Sequence, residues 1–325
     1  MKTFAVVTPT YNRARFLLRL YESIKKQTFS YNEFAWIVVD DGSADDTRAV
    51  MDSLAKSSPF EIIYLYKPNG GKHTAWKFAV DYLNDSDFEY FISIDSDDEL
   101  TPDALEVFYQ NWKQIEQQKS DVGLINARTI VSGQEDKPNK IFDGKDHIDD
   151  TYHNVAIKNG EQSEMITSLR VSELDKYLCI PDEFWLSDKV KFFSENILWG
   201  RAGRLTKTRY LKSVLRIVHL DADNQVSHNK SRRGVSHLYN YIVGIKYYYS
   251  ENLDYAGRYQ RKQMIVDIIK YNAMCQLTDV GFKEAYTQLQ LPVLKLLYLL
   301  TFPASLLAVL YFHIKNNVKS CPNTK

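Results

Sequence analysis

Phe34-Ala35-Trp36-Ile37-Val38-Val39 runs without a polar side chain straight into Asp40-Asp41-Gly42-Ser43. A short apolar run that stops at a turn signal reads as a buried strand. Four more runs of this kind follow the same rhythm, at Phe4 to Val7, Glu61 to Tyr66, Tyr90 to Ile94 and Val122 to Val131. Stripes of helical period lie between them: Phe16, Leu20 and Ile24; Ala75, Ala79 and Leu83; Leu105, Phe108, Trp112 and Ile115. Strands alternating with helices predict βαβ units, hence an α/β fold with a mostly parallel central sheet flanked by helices. Ser43 with Asp46 matches a capping box, and Thr101 before Pro102 matches a cap followed by proline at the first helical position, so helices are expected to follow the strands directly.

Working outward, the pattern loosens into a polar stretch from Gln134 to His153 and resumes at Met165 to Val171 and in the aromatic segment Phe184 to Trp199. Residues 236–290 read as tyrosine-rich helices. The expected division is a catalytic domain at 1–230, split into a donor-binding half at 1–131 and an acceptor half at 132–230, and a helical carboxyl-terminal region at 231–325. The 41 basic and 41 acidic residues cancel, which removes the broad positive field that nucleic-acid binding needs. Cys179, Cys275 and Cys321 are far apart and lack zinc-like spacing, pointing to a reduced, cytoplasmic setting. The start, Met1-Lys2-Thr3 and soon Pro9 and Asn12, has no apolar run suited to a signal peptide.

In an open α/β sheet, ligands bind beyond the carboxyl ends of the strands. Four such ends here carry chemistry: Thr8-Pro9-Thr10-Tyr11-Asn12-Arg13, then Asp40-Asp41-Gly42-Ser43, then Asn69-Gly70-Gly71-Lys72-His73, then Asp95-Ser96-Asp97-Asp98. Tyr11 offers a π-face to a nucleobase, and Asp41 or Asp40 an acceptor for the imide hydrogen of uracil. Gly70 and Gly71 let backbone approach a phosphate, and Lys72 adds charge. Asp95, Asp97 and Asp98 place hard oxygens on one turn, suiting Mg²⁺ or Mn²⁺ on a diphosphate. Taken singly, strand-end Asp and Asn residues make caps and turns, and Asp45 and Asp46 are read that way. Four coincident ends point to a nucleotide-diphosphate site, with Thr8, Tyr11, Asn12, Arg13, Asp40, Asp41, Gly71, Lys72, His73, Asp95 and Ser96 as donor-binding candidates.

By these four motifs, in this order and spacing, the sequence resembles the family 2 glycosyltransferases with the GT-A fold, closely over the first 110 residues and more weakly to about residue 230. The resemblance implies transfer of a sugar from a nucleotide-diphosphate donor, a UDP-sugar by the uridine reading above, onto an acceptor hydroxyl by single displacement with inversion. It also implies a base in Phe193-Ser194-Glu195-Asn196-Ile197-Leu198-Trp199-Gly200-Arg201. Glu195 is the candidate there, with Asp188 behind it; relatives carry Glu-Asp where this chain has Glu195-Asn196. His228, and less so His219, are candidate ligands for the metal or diphosphate, and Arg232 and Arg233 could close over the latter. A sugar-nucleotide-forming nucleotidyltransferase would open with a Gly-rich loop after the first strand, where Thr8 to Arg13 stands. A non-catalytic binding module would not need Asp95, Asp97, Asp98 and Glu195 together.

From Leu296 to Ile314 there is no Asp, Glu, Lys or Arg, although Pro303 interrupts the stretch. The apolar segment 291–314 is near the length that crosses a bilayer. A spanning helix, a hairpin in one leaflet and a helix buried in the protein are the alternatives. The expectation is a peripheral protein on the cytoplasmic face of a membrane, acting on a glycan or lipid-linked saccharide.

Overall fold

The computed structural model describes residues 2–136, 140–161, 163–178, 196–221, 235–278 and 280–317. The chain divides into two compact units, Met1–Leu186 with Arg201–Asn229, and Ser187–Gly200 with Lys230–Lys325.

The first unit is built on a nine-stranded sheet. Its strands are β1 (Lys2–Thr10), β2 (Phe34–Asp40), β3 (Glu61–Tyr66), β4 (Phe88–Ser93), β5 (Glu99–Leu100), β6 (Val122–Val131), β7 (His147–Asp150), β8 (Met165–Arg170) and β9 (Lys207–Val218). Their order is β3-β2-β1-β4-β8-β6-β9-β5, with β7 also paired to β9. The β3-β2-β1-β4 portion is parallel throughout, so the carboxyl ends of these four strands line one edge. The helices of this portion are α1 (Ala14–Lys25), α2 (Thr47–Ser57), α3 (Lys72–Asn84) and α4 (Ala104–Gln117).

Every residue of β2 is buried, as a strand covered on both faces requires. Alternate residues Phe4, Val6, Trp36, Val38, Tyr90 and Ile92 share one core with Leu17 and Leu20 of α1, Met51 of α2, and Leu105, Phe108 and Trp112 of α4. Helix α3 packs against β1 and β2 and buries Ala75, Ala79 and Leu83. The three helical stripes read from the sequence are therefore core.

The structure departs from the expected pattern in three places. The Ser43 capping box does not form: α2 starts at Thr47, and Asp45 accepts hydrogen bonds from the Thr47 amide and hydroxyl. Similarly, α4 starts at Ala104, two residues past Pro102, with the Thr101 hydroxyl donating to Asp103. Finally, β6 reaches β4 only through antiparallel β8, and β7 and β9 lie where no strand was expected. In β9, Lys207-Thr208-Arg209-Tyr210-Leu211-Lys212 breaks the apolar pattern with charges that are paired only in three dimensions. Arg209, for example, is 1% exposed and forks onto Asp149 of β7 at 2.8 Å through both Nε and Nη2.

The second unit contains α7 (Val235–Tyr259), α8 (Arg261–Gln276), α9 (Phe282–Gln288) and α10 (Pro292–Asn317); the short helices α5 (Leu174–Leu178) and α6 (Asn196–Leu205) precede them in the chain. Ile242, Tyr249, Met264, Ile268, Tyr271, Leu289 and Tyr298 form its core. The Tyr249 hydroxyl donates to Asp267, and that of Tyr271 to the Ala285 carbonyl. The tyrosines thus pack helices together, each buried ring giving its hydroxyl a partner.

Trp112 shows what holds the first unit. Its ring stacks on Tyr90 at 4.9 Å, Arg170 lies 4.5 Å from its centre, and its indole nitrogen donates to Ser168 at 3.0 Å. One side chain of α4 therefore braces β4 and β8. Trp112→Ala is expected to cost ~3–5 kcal/mol, as for large aromatic truncations in cores, measured as a lowered midpoint and free energy of urea unfolding.

Candidate functional site

The four strand ends that the sequence singles out meet at the edge formed by the carboxyl ends of β1 to β4. Asn12 turns the chain after β1 with a positive φ of 51°, a conformation Asn tolerates better than most residues. Its amide donates to Ser43 Oγ and its side-chain oxygen accepts from the Ala44 amide, both at 2.8 Å. The two turns are thereby laced together. Tyr11, beside them, is 48% exposed. Gly42 has φ of 80°, and a Cβ there would stand 2.7 Å from the Asn69 amide nitrogen, so this turn excludes a side chain on both counts.

The two aspartates after β2 face different partners. Asp40 accepts from the Ser43 amide at 2.8 Å and from the Tyr64 hydroxyl at 2.5 Å. Asp41 is 3% exposed and accepts from Lys67 Nζ at 2.5 Å, the Gly71 amide at 2.7 Å, the Gly70 amide at 3.0 Å and Asn69 Nδ2 at 3.2 Å. The backbone amides of Gly70 and Gly71, expected to approach a phosphate, thus serve an internal anion. A buried carboxylate is stable only when donors surround it. Lys67 also donates to Thr74 Oγ1 at 2.8 Å, which ties Asp41 to the first turn of α3.

The turn after β4 is the second charged centre. Asp95 pairs with Lys72 at 2.6 Å, and Asp97 with Arg13 at 3.0 Å. Asp98, 2% exposed, accepts from Arg216 Nε of β9 at 2.6 Å and from the His219 amide at 3.3 Å. The same guanidinium reaches Glu164 at 2.7 Å and Asp95 at 3.4 Å. Burial alone would raise the Asp95 carboxyl, but Lys72 and Arg216 hold it down at about 2. Burial pushes Asp98 up, opposed by Arg216 and reinforced by Asp95 and Asp97. For Arg216, burial favours loss of charge, and the carboxylates around it outweigh that and push it further into its charged form. On the outer side, Arg19 donates to the Asp97 carbonyl at 2.5 Å and to Asp221 at 2.8 Å, and His219 meets Glu99 at 2.7 Å.

Among the described residues, no three His, Cys, Asp or Glu side chains are gathered as a ready cation cage. The donor set nonetheless fits a hard divalent ion at two positions. Asp95 and Asp97 are carboxylates that each already face a cation of the protein, and their side chains keep 32% and 13% exposure. Asp98 fits poorly as a ligand, because at 2% exposure it is enclosed against Arg216 and the His219 amide.

Of the expected donor-binding residues, Tyr11, Asn12, Arg13, Asp41, Gly71, Lys72 and Asp95 meet around these two centres. Thr8 is fully enclosed and its hydroxyl accepts from the Trp36 indole at 3.0 Å, so it supports β1 from within. His73 and Ser96 are buried at 4% and 6% exposure. Asp188, Glu195, His228, Arg232 and Arg233 lie outside the described residues. Lys67 and Arg216 went unnoticed in the sequence. The signal for Arg216 was available: an arginine set in the apolar stretch Val214-Leu215-Arg216-Ile217-Val218 must find a carboxylate if it is buried.

A parallel sheet edge with two laced turns and an acidic turn flanked by Lys72 and Arg13 is the arrangement of a GT-A fold. The glycosyl transferase family 2 model matches residues 5–158, and this segment of the chain belongs to that family. The fold of the chain matches that of Staphylococcus aureus TarS residues 1-349 solved with UDP-GlcNAc, with a TM-score of 0.60 at 16% identity over 95% of this chain and 82% of that one. The mannosyltransferase PcManGT of Pyrobaculum calidifontis, solved with GDP-Man and Mn²⁺, gives 0.52 at 14% identity over 98% of this chain and 88% of that one. In sequence, S. aureus poly(ribitol-phosphate) beta-N-acetylglucosaminyltransferase TarS is 29% identical over 130 residues, 40% of this chain and 22% of that protein. The Campylobacter jejuni GalNAc(5)-diNAcBac-PP-undecaprenol beta-1,3-glucosyltransferase is 35% identical over 115 residues, 34% of each chain. These matches span at most about a third of the length of either relative.

Arg216 is the charge on which the acidic turn rests. Replacing it with Leu strands Asp98 without its cation, and removal of one partner of a buried pair costs roughly 3–5 kcal/mol. Arg216→Leu is expected to lower the thermal unfolding midpoint sharply, and Arg216→Lys to recover part of the loss. The variant Arg216→Leu/Asp98→Asn should be more stable than Arg216→Leu alone.

Proposed function

We propose that the chain is a glycosyltransferase that moves a sugar from a nucleotide-diphosphate donor to an acceptor hydroxyl. The observation that carries this reading is the juxtaposition of exposed Tyr11, the Asp41 cradle and the Asp95–Asp97 turn with its two protein cations at one sheet edge. The donor is a UDP-sugar. Tyr11 stacks on the base and Asp41, which faces Lys67 and two backbone amides, accepts the imide hydrogen. The UDP-GlcNAc bound by TarS agrees with this choice. Lys72 and Arg13 set positive charge against the diphosphate, and Asp95 and Asp97 are the residues that would hold Mn²⁺ or Mg²⁺. When bound, that ion supplies charge neutralisation to the leaving group.

In the transfer, the bond from the anomeric carbon to the diphosphate oxygen breaks as the acceptor oxygen forms its own bond to that carbon. The acceptor proton passes to a carboxylate, and the nucleotide diphosphate leaves. Glu195 is that base, on the strength of its motif, with inversion as the outcome of a single displacement. Such a base contributes typically ~10²–10⁴ in rate. The acceptor is a glycan or a lipid-linked saccharide, as the names of the relatives suggest, and a cytosolic donor sets the work at the cytoplasmic side of a membrane. The rival nucleotidyltransferase would make sugar nucleotide from sugar phosphate and nucleoside triphosphate. It lacks support in the first turn, where Tyr11-Asn12-Arg13 stands in place of a Gly-rich loop.

Incubating the purified protein with a panel of nucleotide sugars and Mn²⁺ tests the class. UDP release from a UDP-sugar is expected, with UDP binding more tightly than GDP by calorimetry. Asp97→Asn or excess chelator should abolish release while the circular dichroism spectrum stays unchanged. Release of pyrophosphate from a nucleoside triphosphate and a sugar phosphate would favour the rival.

For the base, Glu195→Gln should cut the transfer rate by ~10²-fold or more with UDP affinity near normal. Undiminished transfer would move the role to Asp188.

A further inference from the structure

Helix α10 is amphipathic in the sense opposite to that of a water-soluble helix. Leu294, Tyr298, Thr301 and Ser305 face the rest of their unit and are buried. This inner face is held by polar bonds: Asn272 Nδ2 of α8 donates to the Tyr298 carbonyl at 2.9 Å and to Thr301 Oγ1 at 3.0 Å, and Gln276 Nε2 donates to Ser305 Oγ at 2.6 Å. The opposite face is a stripe of leucines: Leu296, Leu299, Leu300, Leu306, Leu307 and Leu310 are each 46% to 70% exposed. At spacings of three, one, six, one and three residues they fall within a single arc of the helix. A stripe of six half-exposed to mostly exposed leucines on one arc is the kind of apolar surface that marks an interaction site.

We infer that this leucine face docks on an anionic lipid bilayer with α10 lying in the plane of the membrane, and that it does not span it. Length and apolar composition over Pro292–Tyr311 would allow crossing. The inner face forbids it. Asn272 and Gln276 tie Thr301 and Ser305 to α8, and α8 carries Arg261, Lys262, Asp267 and Lys270. Crossing would either drag these charges into hydrocarbon or part α10 from the Asn272 and Gln276 contacts and the Tyr271–Tyr298 packing that hold it to its unit. Lying flat, α10 immerses its leucines ~5–10 Å into the acyl boundary while the polar face stays on protein. In the sequence Lys295, Lys315 and Lys319 bracket the apolar stretch on both sides. These cations complement the anionic headgroups of such a surface. Lipid docking follows from the helix alone and stands whether or not the chain transfers a sugar.

The test is flotation of the full chain with vesicles of phosphatidylcholine and phosphatidylglycerol. The wild type is expected to float with the lipid, and Leu300→Glu/Leu307→Glu to remain in the aqueous fraction with an unchanged circular dichroism spectrum and unchanged UDP affinity. A wild type that stays aqueous, or a double variant that still floats, overturns the proposal. So does a wild-type dimer in solution that the same substitutions dissociate without any lipid binding, since a second copy would then own the face. For orientation, Leu300→Trp, near the middle of the apolar stretch, and Leu310→Trp, near its end, are compared by quenching with lipids brominated at different depths along the acyl chain. Equal, shallow depths for both support the in-plane helix, and a deep position for either one sinks it.

Discussion

A charge removed from water must be matched where it stands, and in this protein the match that matters most is Arg216 against Asp98. The guanidinium is supplied by the long ninth strand and the carboxylate by the turn that ends the fourth. Two parts of the chain more than a hundred residues apart are thereby joined at a point that apolar packing could not specify. The same cation reaches Asp95 and Glu164, so the backbone of the acidic turn is held from behind. Asp95 and Asp97 are left to face Lys72 and Arg13. Desolvation makes such a pair costly to form and costlier to break, which suits a device that fixes geometry rather than one that adds stability.

Around that anchor, the site comes with its charges already paired. Lys67 and two backbone amides compensate Asp41, while Lys72 and Arg13 compensate the acidic turn. In the proposed function, a nucleotide diphosphate would exchange partners with these groups instead of creating new ion pairs from solvated ones. The gain in affinity is smaller than a count of charges suggests, and the gain in order is larger, because the donors are in place beforehand.

The second unit solves a different problem. Its tyrosines and Asn272 satisfy hydrogen bonds inside a helical core, which frees α10 to expose its leucines outward. An apolar helix that spends its polar residues on the protein and its leucines on the surroundings is organised for a non-aqueous neighbour.

Much of the first unit was legible in the sequence because its signals are local. Apolar runs and helical stripes follow from side-chain period, and the four strand-end motifs sit within a few residues of the strands that carry them. The parallel sheet from β1 to β4 and the residues at its edge could therefore be named before any contact was known. Tertiary structure alone decided what those residues do to one another. It enclosed Thr8, turned the Gly70 and Gly71 amides onto Asp41, brought Lys67 and Arg216 into the site, and placed the leucines of α10 on the outside of their unit. Period and motif record which face of an element is apolar or charged. Compensation of a buried charge depends on which distant strand arrives beside it, and that information exists only once the chain has closed on itself.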